Sequence, residues 1–321
     1  MAPGKIAKMP IGVREDGMTA RFWVGRAATL VALLALGGCG ADSGGVSVGP
    51  PELSEVPVLK TADNLVLPLD AYVLSGDERV VVNRAEAALA EDCLRRFGIS
   101  EKLPNFSSAQ GPSEGRYARR YGLLDMALAT ANGYRPAKEE ASTESDIQQR
   151  PTLSAEAVTV YTGRGPSHVN GKVVPQGGCQ GEAREKLDDG PSRARAGSLV
   201  ELLDKQANDS AEDDKRTRDA MLRWGECMAK AGFHYKDVWG PNGDPAWRET
   251  TEPSSEEISI ARADVACKHE VNLVGVWHAV EVAYQNQAIK QNREKLDAER
   301  MRLTGTVELA RDVLKERHPE R

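Results

Sequence analysis

Four cysteines, Cys93, Cys179, Cys227 and Cys267, limit the folds open to this chain more than any other feature. A fifth, Cys39, ends an apolar segment near the N-terminus. Residues 21–39 place Arg21 and Arg26 before ten residues without formal charge, Ala27 to Leu36, and then Leu36-Gly37-Gly38-Cys39. Ten residues are half of the ~20 that a bilayer-spanning helix needs. Basic residues, a short apolar run and small residues before the cysteine are the order of an export signal. The small residues before Cys39 resemble a bacterial lipobox, which implies diacylation of Cys39 and an anchor in the outer face of the membrane. Two acyl chains hold such a protein stably. Met18 is an alternative start. Residues 40–57 are rich in Gly, Ser and Pro, and are expected to form a flexible tether.

An exported chain meets an oxidising compartment, where an even set of cysteines points to disulfides. A repeat favours one pairing among the three possible. Residues 93–99 (CLRRFGI) and 227–233 (CMAKAGF) share Cys-[Leu/Met]-x-[Arg/Lys]-x-Gly-[Ile/Phe]. Cys179 and Cys267 share the weaker pattern Cys-x-x-Glu-[Ala/Val]. Two related modules, each with a first and a second cysteine, give Cys93–Cys179 and Cys227–Cys267. A four-cysteine zinc site is the rival, but there is no Cys-x-x-Cys spacing.

Both first cysteines lie on expected helices. Ser75 and Glu78 form a capping box, Ala85, Leu89, Cys93 and Phe97 recur at helical spacing, and Gly98 supplies the stop. In the second module Ser210 is the candidate cap. There Ala220, Trp224, Cys227 and Ala231 line one face, and Gly232 ends the helix. Further helices are expected over Arg116–Asn132, Ser154–Thr162 and Ser198–Ala207. Lys138–Arg150 reads as an exposed loop. Asn170-Gly171 marks a hairpin turn between His168-Val169 and Lys172-Val173.

The last third has no proline from Ser254 to about Glu316. Ser254 and Glu257 read as a capping box. Leu273, Trp277, Val280, Tyr284 and Ala288 recur every three or four residues. Unbroken, about 60 residues would extend ~90 Å. Beyond Gln291 the pattern thins to Leu296 and Met301, and Gly305 is a candidate break. The expectation is a first half packed on the core and a second half projecting into solvent. A coiled-coil arm is the competing reading.

Composition narrows function. The formal net charge is −6. Residues 1–38 hold five basic side chains (Lys5, Lys8, Arg14, Arg21, Arg26) and two acidic ones (Glu15, Asp16), so the remainder carries −9. Such a surface argues against nucleic acid, whose affinity comes mainly from neutralised phosphates. Aromatic residues are only 5%, and Ala, Glu, Leu and Arg are common, which favours helices. No Walker loop, His-Glu-x-x-His or dinucleotide fingerprint occurs, and no cofactor is expected. His168 with Cys179 is the best thiol–imidazole pair, but a structural disulfide is the better use of that cysteine. His269 and His278 are nine apart on a helix, on faces too different to share a metal. His234 follows a helix stop and His318 lies in the tail. Paired carboxylates (Glu139-Glu140, Asp213-Asp214, Glu256-Glu257) read as solvated faces or helix-start charges. Trp224, Tyr235, Trp239 and Trp247 are the densest aromatic cluster. They form either core or a binding groove for sugar or peptide.

Leu67-Pro68-Leu69-Asp70-Ala71-Tyr72, Cys93-Leu94, Arg119-Arg120-Tyr121-Gly122, Gly177-Gly178-Cys179 with Glu182-Ala183, Cys227-Met228 with Gly232-Phe233, and Ala263-Asp264-Val265-Ala266-Cys267 together resemble uncharacterised secreted lipoproteins of high-GC Gram-positive actinobacteria. The likeness spans most of residues 65–300. It implies location and disulfides, and carries no catalytic residues.

The expected fold is mainly α: two disulfide-stapled helical modules with a short β-hairpin and a long C-terminal helix. The expected domains are a signal peptide (1–38), a tether (39–57), module one (58–200) and module two (201–321). The expected function is non-enzymatic: an anchored envelope protein that binds another protein or the cell wall through its C-terminal helix. Alternatives are an accessory or ligand-binding subunit of an envelope transporter, with a pocket near the tryptophans, and an envelope hydrolase.

Overall fold

The computed structural model describes residues 49–62, 65–103, 117–136, 153–188, 199–248 and 251–317. The signal segment, Cys39, residues 40–48, the Lys138–Arg150 loop with Glu139-Glu140, and His318 lie outside them.

The first helix, α1 (Gly76–Arg96), starts where the sequence places it. Ser75 Oγ accepts from the Glu78 N–H, and the Glu78 carboxylate accepts from the Ser75 N–H at 2.8 Å. At its other end Gly98 takes φ +82°, Gly98 N–H donates to Arg95 O, and Ile99 N–H donates to Leu94 O. The helix α6 (Lys215–Lys230) ends the same way, with Gly232 at φ +89° and bonds from Gly232 to Ala229 and from Phe233 to Met228. The shared cysteine–glycine pattern is therefore a repeated helix stop in the left-handed conformation that glycine adopts without steric cost.

Between them lie α2 (Met126–Asn132), α3 (Ala155–Thr162), α4 (Gly178–Leu187) and α5 (Leu199–Asp213). The hairpin pairs β1 (His168–Val169) with β2 (Lys172–Val173) around Asn170 (φ +51°) and Gly171 (φ +73°). It covers the C-terminal end of α1: Asn170 Nδ2 donates to Phe97 O at 2.9 Å and Lys172 Nζ to Arg96 O. Carbonyls at a helix end that lack helical partners are thereby satisfied.

Two disulfides close the modules, Cys93–Cys179 between α1 and α4 and Cys227–Cys267 between α6 and α7 (Ser255–Glu270). Each sits in its own apolar cluster. Cys93 and Cys179 pack with Leu94, Phe97, Ala157 and Val160. Cys267 packs with Trp224, Met228, Val265 and Trp277. A zinc site and a Cys179 nucleophile are both excluded by the closed bridges.

Several expectations are corrected. Arg116–Asn132 is not one helix, because residues 117–122 form turns and only Met126–Asn132 is helical, capped by Asp125. Ser210 lies inside α5, and the cap of α6 is Asp214, whose carboxylate accepts from Arg216 N–H at 2.8 Å. The C-terminal run is not one rod. It breaks at Asn272, at φ +49°, where α7 has ended and α8 (Leu273–Arg317) begins. Asparagine is a residue that tolerates this conformation. A second irregularity falls at Asn292, while the helix continues through Gly305.

The second half of α8 does not project either. Leu296 is fully buried against Leu69, Val200 and Leu203. Val307 is buried, and Ala310 packs with Ala85 and Leu187, and with Leu309, Val313 and Leu314 from its own helix. Between Leu296 and Val307 the apolar points are sparse, yet the helix stays packed because α1 and α4 supply the opposing apolar surface. The helix thus joins both modules, and the described residues form one compact unit.

The tether is shorter than residues 39–57. Residues 51–62 and 65–66 lie across α6, α7 and α8. Leu53, Leu59 and Leu65 pack on the larger cluster, and Pro51 O accepts from Arg216 Nη1 at 2.8 Å.

Candidate functional site

Charged side chains are almost never fully buried unless paired, yet Glu257, Asp264, Lys268 and Glu281 are at most 1% exposed. They lie on α7 and α8 and face the segment 117–136, forming three linked groups.

The first group surrounds Arg120. Its guanidinium donates to both oxygens of Asp204 at 2.9 and 3.1 Å, and its Nε donates to Glu281 at 2.8 Å. Tyr121 OH donates to the other Glu281 oxygen at 2.7 Å. Gln285, one turn along α8, donates to Asp204 and accepts from the Leu69 N–H at 3.0 Å. Tyr117 lies under the guanidinium, 5.1 Å from it, and donates to Asp70. Burial works against the Arg120 charge, but the Glu281 and Asp204 carboxylates outweigh it and hold the guanidinium protonated more firmly than usual. Burial, then the Glu281 charge, pushes the Tyr121 phenol well above its ordinary value.

The second group centres on Asp264. It accepts from Trp224 Nε1 at 2.9 Å, Lys268 Nζ at 3.0 Å and Tyr134 OH at 3.2 Å. Lys268 also donates to Leu123 O at 3.0 Å. Gly122 makes room for that ammonium, since a Cβ there would stand 2.9 Å from Nζ. Burial and then Asp264 push the Tyr134 phenol up, so it stays a donor.

In the third group Glu257 accepts from the Tyr134 N–H at 3.1 Å and pairs with Arg135 at 3.2 Å. Arg135 also donates to Trp247 O at 2.7 Å. Ser254 still caps α7, but the Glu257 side chain turns inward to this pair instead of back to the cap.

The predicted aromatic residues come together around these groups, as core. Trp224 is 1% exposed. Trp239 and Trp247 are half-buried, packed on the same cluster, with Nε1 donors engaged by Glu212 at 2.7 Å and Pro241 O at 2.6 Å. Tyr235 is half-buried too, its OH near Asp244; burial and then Asp244 push it up to about 12. Trp239 and Tyr121 both pack against the buried Trp277, at 5.7 and 5.3 Å. A shallow depression lined by Met126, Ser259, Arg262, Ala263 and Ala266 includes none of the predicted aromatics.

The other candidates are separated. His168 is exposed on the hairpin, whereas Cys179 is buried in its bridge. His269 Nε2 lies 3.0 Å from Lys60 O and 2.9 Å from Leu124 O, and His278 Nε2 lies 3.2 Å from Val66 O. Asp214 serves as a cap and Asp213 is solvated.

Chemically, the carboxylates of the three groups are already occupied by cations and hydroxyl or indole donors. Their work is positional: they fasten 117–136 to α7 and α8. Sequence reasoning missed Arg120, Asp204, Glu257, Asp264, Lys268 and Glu281 in this role. A signal existed at Glu281, which interrupts the apolar stripe between Val280 and Tyr284, and at Asp264 and Lys268, one turn apart beside Val265 and Cys267.

No family model, no curated protein and no solved structure matches this chain.

Proposed function

We propose that this chain is an extracytoplasmic lipoprotein, anchored through Cys39, that serves the cell envelope by binding another protein or the cell wall rather than by catalysis. The observation that carries the reading is the pair of closed disulfides behind an export-type segment ending in Leu36-Gly37-Gly38-Cys39. Bridges of this kind persist in oxidising compartments. The resemblance to secreted actinobacterial lipoproteins supports the same location. The buried carboxylates are committed to holding the fold, which favours binding over acid–base chemistry.

The binding surface we assign is the outer stripe of α8. Its inner stripe is covered, but Glu294, Ala298, Met301, Glu308, Arg311 and Lys315 are exposed along one side. Met301, at 70% exposure, is the largest apolar side chain on it. A photo-crosslinking side chain at position 301 in living cells should capture one recurrent envelope protein or wall fragment, and the same group at exposed Leu222 on α6 should not. Equal or absent capture at the two positions would remove α8 as the binding surface.

A further inference from the structure

Residues 51–62 and 65–66 have no helix or strand of their own ahead of the 3-10 turn at Pro68–Tyr72, yet they are held at intervals along their length. The odd-numbered residues from Pro51 to Leu59, except Glu55, are half-buried, while Glu52, Ser54, Val56, Val58 and Lys60 face outward. Their carbonyls are taken by side chains of the body: Pro51 O by Arg216, Pro57 O by Asn272 Nδ2 at 2.9 Å, Lys60 O by His269 and Val66 O by His278. One position on the body is shaped for them. A Cβ at Gly275 would stand 1.9 Å from Pro57 O, so only glycine admits the strap there.

We infer that residues 51–62 are a docked strap that sets how far the folded body stands from the membrane, with Gly275 as its seat. The inference rests on the lipid anchor at Cys39. With the strap docked, 12 residues separate Cys39 from the catch at Pro51, a span of at most about 40 Å. Released, the free chain runs to Leu67, 28 residues and at most about 100 Å. A few side-chain catches and partly buried leucines are the kind of contact that opens locally without global unfolding.

The test uses the full chain. Trypsin cleavage after Lys60 is followed by mass spectrometry in detergent for the unaltered protein, for Gly275→Val, and for Leu53→Asp combined with Leu59→Asp. The last variant changes the strap alone and leaves the body's own residues intact. In parallel, energy transfer is measured from a dye at Leu222→Cys to labelled lipid in vesicles. The expected result is cleavage at least tenfold faster in both variants, with lower transfer efficiency. Cleavage of the unaltered strap as fast as in the variants, or unchanged transfer after release, would overturn the strap. Failure of the unaltered protein to bind vesicles would overturn the anchor and the stand-off role with it, while the cleavage rates would still decide whether the strap docks.

Discussion

Asp264 and Lys268 lie one turn apart on α7, each about 1% exposed, and neither charge has bulk water to fall back on. Removing one partner of a buried pair leaves an uncompensated charge, which typically costs ~3–5 kcal/mol. Asp264→Ala should lose about that much in urea unfolding, because it strands Lys268 and also frees the Trp224 and Tyr134 donors. Adding Lys268→Met should recover a substantial part, and a double variant no more stable than Asp264→Ala would contradict the pairing. Asp214 supplies a pH-dependent counterpart. Its hydrogen bonds from the Arg216 side chain hold its carboxyl below the ordinary value, against opposing desolvation. A depressed folded pKa means stability that is present above the unfolded value, near ~3.9, and lost as pH falls through the folded one. Asp214→Asn should therefore be less stable than the unaltered protein at pH 6. The gap should close below about pH 4, and an equal gap at pH 3 and pH 6 would refute the assignment. At this scale the sequence was least legible. An Asp or Glu in a helical stripe looks the same whether it meets water or a buried donor, because partners such as Trp224 for Asp264 and Arg120 for Glu281 are 40 and 161 residues away.

Elements were easier to read where local chemistry decides them. Ser75 with Glu78, Ser154 before α3, Asn170-Gly171 and the glycines after α1 and α6 all act within a few residues, and each gives the expected start, turn or stop. Readings failed where a distant surface decides. Nothing within residues 117–125 shows that Arg120 and Tyr121 turn toward Glu281, and no proline announces the helix break at Asn272. The thin apolar pattern after Gln291 looked like a solvated arm because the apolar surface that meets it, on α1, α4 and α5, is remote in sequence. One junction is both local and severe. Gly163, at φ +67°, sits where α3 meets the start of α4, and a Cβ there would stand 2.4 Å from Gly178 N. Gly163→Ala should lose more than ~1–2 kcal/mol, the strain of a left-handed residue alone, since backbone rather than a movable side chain blocks it. The loss is expected in thermal unfolding, and a neutral Gly163→Ala would mean that the two helices do not meet so closely.

For the molecule as a whole, α8 is the common support. It packs on α1, α4, α5, α6 and the turn at Pro68–Tyr72, and it carries Glu281 and Gln285 into the buried ion-pair groups. A chain ending at residue 290 loses Leu296, Val307 and Ala310 from the interior. It should unfold at markedly lower urea concentration, by an amount equivalent to several core truncations at ~2–5 kcal/mol for each large side chain. Unchanged stability would mean that the distal helix is an arm after all. The binding role proposed for α8 would therefore use its outer stripe, and point changes such as Met301→Asp, not truncation, separate binding from folding.

The central claim is that the body is tied to a membrane through Cys39, and the mass of the mature N-terminus tests it most directly. The protein is extracted from the membranes of its source cells, digested, and its N-terminal peptide identified by mass spectrometry. The account predicts a peptide beginning at Cys39 and carrying diacylglyceryl mass, and a Cys39→Ser protein that is absent from the membrane fraction. An unmodified Cys39 within a longer N-terminal peptide, or a protein whose membrane association is unaffected by Cys39→Ser, would contradict it.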